Sequence, residues 1–91
     1  MRVKVQEIGA ALHPSEVVVQ VKTATGVENL VVDRRSIESN SLSVGSPIAR
    51  GDNNLWLIEL PRETMSGAWR VWVKESSLLP DLPEAKRVRI A

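Results

Sequence analysis

Valines alternate with polar residues in several short runs, and clusters of Gly, Pro, Asn and Ser separate those runs. This period of two, broken by turn residues, predicts an all-β domain. Arg2 to Ile8 is the first predicted strand, and the loop from Gly9 to Ser15 follows it. Glu16 to Thr23 is the second, with Val17, Val19 and Val21 on one face. Val27 to Asp33 is ambiguous by period alone because Leu30, Val31 and Val32 are contiguous. A two-residue turn at Thr25-Gly26 resolves it: Ala24 then opposes Val27, Val21 opposes Leu30 and Val19 opposes Val32. Thr is poorly suited to a turn position with positive φ, so a longer turn is an open alternative.

Arg34 to Val44, rich in Ser and Asn, reads as a single helical turn or an irregular connection, followed by a short strand. Ile48 to Arg50 is a further short run. Gly51-Asp52-Asn53-Asn54 is a strong turn signal, and Leu55 to Leu60 is the strand after it, ended by Pro61. Both faces of that strand are largely apolar, which predicts a central position and a core role for Trp56. Ala68 to Lys74 is the next strand. Glu75 to Leu79 reads as a short helical turn before Pro80.

One domain is expected over residues 1–80, with residues 81–91 as a C-terminal tail. The tail is either a solvated extension or a closing strand in which Arg87-Val88-Arg89-Ile90 lies beside Arg2-Val3-Lys4-Val5.

Parity within Trp69-Arg70-Val71-Trp72-Val73-Lys74 divides the strand in two. Trp69, Val71 and Val73 share one face, while Arg70, Trp72 and Lys74 share the other. Trp69 is therefore predicted to be buried. In a domain of this size the loss of a buried Trp side chain, worth about 3 to 5 kcal/mol, would threaten folding. Trp72 is predicted to face outward between two cations, in a chain that has three Trp and neither Phe nor Tyr.

The order of features in the second half of the chain resembles an SH3-like small β-barrel. The resemblance rests on Leu42-x-Val44-Gly45-x-Pro47-Ile48, the turn Gly51 to Asn54, Leu55-Trp56-Leu57-Ile58, the Trp-Arg-Val-Trp-Val strand, and Glu75-Ser76-Ser77-Leu78-Leu79 in the place of the short helical turn before the last strand. It implies a barrel of six or seven short antiparallel strands with one or two helical turns. The tyrosines that line the peptide groove of proline-rich-ligand binders in that superfamily are missing, so that specificity is not implied.

Composition narrows the chemistry. Without cysteine there is no disulfide framework, thiolate nucleophile or Cys-based zinc site, and a reducing, cytoplasmic setting is the default expectation. Charges interrupt the apolar pairs at the N-terminus, and no window approaches a membrane span. The formal net charge is +1, so binding to nucleic acid would require a local patch. His13 lies in a loop with no ligand-type neighbours at metal spacing and is expected to be solvated. Among Asp52, Glu59, Glu63 and Glu75 no spacing selects a catalytic pair, and no phosphate loop or nucleophile elbow is present. No enzyme, cofactor or metal is expected.

The remaining candidate surface is Arg70, Trp72 and Lys74, with Arg62 nearby in the preceding loop. Three roles suit Trp72: packing beneath the tail or the Arg34 to Val44 connection, contact with a protein partner or a second copy of the chain, and stacking against a base with cations on the phosphates. The expected function is a non-catalytic interaction module that binds a protein partner or a second copy of the chain through this aromatic-basic face. Single-stranded nucleic-acid binding through the same face, with Arg62 or the tail residues Lys86, Arg87 and Arg89, is the alternative.

Overall fold

The computed structural model describes residues 1–80, so the predicted closing strand at Arg87 to Ile90 lies outside the described residues. The domain is all-β: β1 (Arg2–Lys4), β2 (Gln6–Ala10), β3 (Glu16–Thr23), β4 (Gly26–Asp33), β5 (Ile37–Glu38), β6 (Ser41–Ser43), β7 (Ala49–Arg50), β8 (Leu55–Glu59), β9 (Arg70–Lys74) and β10 (Leu78–Leu79), with 3-10 turns at Arg34–Ser36 and Glu75–Ser77. Three antiparallel sheets form, ordered β10-β1-β6-β5, β2-β3-β4 and β7-β8-β9. Among the described residues none of them closes into a barrel. The strand count exceeds the six or seven expected because the first predicted strand breaks at Val5 and several pairings last only two residues.

The core is a cluster of small aliphatic side chains drawn from all three sheets: Val3 and Val5, Val17, Val19 and Val21, Leu30 and Val32, Leu42, Ile58 and Leu60, Val71 and Val73. In β3 the valine alternation does what it predicts, placing Val17, Val19 and Val21 inside. The register of β3 against β4 differs from expectation by two residues. Thr23 pairs with Gly26, Val19 with Leu30 and Val17 with Val32, so Ala24-Thr25 form the loop. A shift of two keeps every side chain on its face, which is why the core assignment survives it. The turn places its positive φ, 148°, on Gly26, where no Cβ opposes it.

Two further hairpins turn on asparagine. Asn53 and Asn54 both take left-handed φ, 58° and 59°, between β7 and β8, and Ser39 and Asn40 do the same between β5 and β6. Two consecutive positive φ values match the right-handed twist of the flanking strands, and Asn tolerates them. The second of these turns fixes the start of the chain. The Asn40 carbonyl accepts the Val5 N–H at 2.9 Å. The Arg2 guanidinium donates to Ser41 Oγ at 2.7 Å and to its carbonyl at 2.9 Å. Ser41 Oγ, itself buried, donates to the Glu38 carbonyl at 2.6 Å.

The 3-10 turn Arg34–Ser36 is capped by Asp33, whose carboxylate accepts the Arg35 N–H at 2.8 Å. That hydrogen bond, followed by the Arg35 side chain, holds the Asp33 carboxyl below its ordinary range. His13 is exposed in its loop, as expected, with Ser15 Oγ 2.7 Å from Nδ1.

Candidate functional site

The sheet β7-β8-β9 carries Trp56 and Trp72, Trp69 immediately precedes its last strand, and the three tryptophans meet three environments. Within β9 the parity holds: Val71 and Val73 are buried, while Arg70, Trp72 and Lys74 face out. Register places Trp72 opposite Leu57 and Leu57 opposite Ala49, with the pair Arg70 and Glu59 on one side and Lys74 and Leu55 on the other. Trp72 is 38% exposed, partly covered by its neighbours and partly open.

Trp69 corrects the expectation of burial, for it is 51% exposed. The strand starts only at Arg70. Trp69 stands in the bend before it, its carbonyl accepting the Leu60 N–H at 2.8 Å. Parity holds only along an extended segment, and Trp69 lies in the bend outside β9, where Ala68 and Leu60 pack on the core in its stead. Its ring lines a shallow, mostly apolar recess with Val31 and Met65, beside Arg62 and Glu63.

Trp56 lies in the central strand β8, as expected, but is only half-buried. The Arg50 guanidinium covers its ring at 5.0 Å from the centroid. Its indole Nε1 is buried without an acceptor among the described residues.

The predicted cations separate. Arg70 Nε lies 3.5 Å from Glu59 Oε2, and Arg62 Nη1 lies 3.0 Å from Glu16 Oε2. Arg62 is therefore directed to the base of β3 and away from Trp72. Lys74 has no such partner among the described residues. It lines an open groove of about 580 Å³ together with Lys4 and Lys22, which sequence reasoning did not single out.

Three strand ends build this groove. Lys4 ends β1, Lys22 is next to last in β3 and Lys74 ends β9. Each follows a fully buried valine, Val3, Val21 and Val73 respectively, so each must point away from the core. The β3–β4 hairpin is tied to β9 by the Ala24 N–H, which donates to the Trp72 carbonyl at 2.8 Å and sets Lys22 near Lys74. Gln6 and Gln20 line the groove along the sheet, Thr23, Gly26 and Val27 at the hairpin end, and Ser76 and Ser77 from the 3-10 turn.

No carboxylate lines this groove, and none of its lysines has an ion pair or hydrogen bond within the described residues. Three like charges gathered in one groove with no carboxylate in its described lining favour the approach of anions, although the net charge is only +1.

Among the described residues no group of three or more His, Cys, Asp or Glu is placed to hold a metal ion. Asp52, Glu59, Glu63 and Glu75 are all exposed. No helix among the described residues is long and apolar enough to cross a membrane. No family model matches the chain, and no curated protein or solved structure shows significant similarity to it.

Proposed function

We propose that this chain is a non-catalytic binding module for single-stranded nucleic acid. The strand's phosphates occupy the groove of Lys4, Lys22 and Lys74, and a base stacks on Trp72. The observation that carries the proposal is the set of three lysines that, among the described residues, have no partner and share a groove with no carboxylate, with the partly exposed Trp72 on the same face of β9 as Lys74. Exposed stacking platforms beside basic grooves are how sequence-tolerant single-strand binders work, each stacked base contributing about 1 to 3 kcal/mol. The groove supplies the local patch that a nearly neutral chain needs.

A protein partner, or a second copy of the chain, is the competing occupant of the Arg70, Trp72, Lys74 face. It is favoured by the half-buried Leu55 and Leu57 beside the indole. It does not explain the gathered lysines, because a protein interface gains nothing from three unpaired ammonium groups unless its partner is acidic. In the same proposal the three open sheets are a variant of the SH3-like barrel. The likeness rests on the β7–β8 hairpin, β9, the 3-10 turn Glu75–Ser77 and β10 following in the expected order, with β10 pairing to β1.

The test is an anisotropy titration of a labelled single-stranded oligonucleotide at low salt, with wild type and a Lys4→Gln/Lys22→Gln/Lys74→Gln variant. Binding by wild type and its loss in the triple variant support the proposal. Absent binding by wild type, with self-association in sedimentation, would transfer the face to the protein reading.

A further inference from the structure

The benzo ring of Trp72 fills the space into which a side chain at position 51 would project. A Cβ at Gly51 would meet Trp72 Cζ3 at 2.7 Å, Cη2 at 3.2 Å and Cε3 at 3.4 Å. Carbon atoms in good contact stand roughly 3.5 to 4.0 Å apart, so even one methyl at position 51 displaces the ring. Gly51 does not take a positive φ, and its N–H donates to the Leu55 carbonyl at 2.8 Å in the β7–β8 turn. The backbone there would accept alanine, but the indole would have to move from its seat.

We infer that Gly51 is a positioning residue for Trp72. Resting on the nucleic-acid reading above, the inference assigns to Gly51 the fixed placement of the stacking platform beside the groove lysines. An indole seated on the hairpin is ordered before any ligand arrives, so little side-chain freedom is lost when a base stacks on it. Gly51 touches no ligand in this scheme and acts through Trp72 alone. It contributes nothing to phosphate contact.

This separation fixes the experiment. Anisotropy titrations with a labelled single-stranded oligonucleotide at two salt concentrations compare wild type, Gly51→Ala, Trp72→Leu and the double variant, with a thermal melt of each. Gly51→Ala is expected to weaken binding about 5-fold or more, a part of what a stacked base contributes, and to leave the salt slope unchanged. Trp72→Leu weakens it further. The double variant binds no worse than Trp72→Leu, because without the ring the added methyl meets nothing. A merely structural role for Gly51 would lower the melting temperature in both backgrounds and give additive losses of affinity. Such additivity, or unchanged affinity in Gly51→Ala, overturns this inference while wild-type binding sustains the nucleic-acid reading. If wild type binds no strand, both are overturned.

Discussion

Replacing the groove lysines with glutamine, one at a time and together, reduces the salt dependence of binding in countable steps. Each phosphate neutralised on a single strand releases condensed counterions and contributes about 0.7 to the slope of log affinity against log salt. Lys4, Lys22 and Lys74 line one groove and have no competing partner among the described residues, so on this account all three charges are available to a strand. Three contacts give a slope of about −2, which between about 50 and 200 mM salt amounts to a roughly 20-fold loss of affinity. Each single Lys→Gln variant should flatten the slope by about 0.7, and the triple variant should nearly abolish it. Arg62→Gln is the control, since that guanidinium lies 3.0 Å from Glu16 on another part of the surface. The assay is fluorescence anisotropy of a labelled oligonucleotide over a salt series. A triple variant that keeps the wild-type slope, or an Arg62→Gln variant that loses it, would refute the reasoning.

Other expectations follow from the same geometry. Trp69→Ala should cost less than about 1.5 kcal/mol in urea denaturation, because half of that ring is already in water, whereas Ile58→Ala, at a fully buried position, should cost about 2 to 5 kcal/mol. Gly26→Ala forces a Cβ into a backbone with φ of 148° and should destabilise by about 1 to 3 kcal/mol, read from the shift in denaturation midpoint. Glu28 is held below its ordinary value of 4.5 first by the Ser66 hydroxyl, 2.7 Å away, and then by Thr64. Its folded pKa is depressed, so the unfolded chain binds the proton more readily; the contribution is present above about pH 4.5 and lost as pH falls through the depressed value. Ser66→Ala should therefore shrink the stability difference between neutral and acid pH, measured by denaturation at each.

The core was legible in the sequence because valine alternation is a local rule with a local cause. Val17, Val19 and Val21 face inward in any register of the same parity, so the two-residue error at the Ala24-Thr25 turn did not disturb them. The Asn53-Asn54 turn was legible for a similar reason, since its positive φ values are a property of the residues themselves. Trp69 was misread because parity was carried one residue past the end of the extended segment. Where a strand stops is set by what it packs on, here the β8 pairing that ends at Glu59 opposite Arg70. The lysine groove was not legible as a unit. Lys4, Lys22 and Lys74 belong to separate strands, and two of those strands meet through the shared core and the hydrogen bond from Ala24 to Trp72, neither of which is local in sequence. One local signal was present: each of the three lysines directly follows a buried valine near the end of its strand. Arg70 and Arg62 were equally prominent in the sequence, and only the structure reveals that Glu59 and Glu16 already engage them.

The most direct measurement is an amide and indole NMR titration with a short single-stranded oligonucleotide at low salt, because Trp72 and Trp69 each contribute an indole N–H signal from a different surface. The account predicts that the Trp72 indole and the backbone amides of Lys4, Lys22 and Lys74 move together and saturate at one ratio, while the Trp69 indole and Met65 stay fixed. Movement centred on Trp69, Met65 and Val31, or none anywhere as the strand is added, would contradict it.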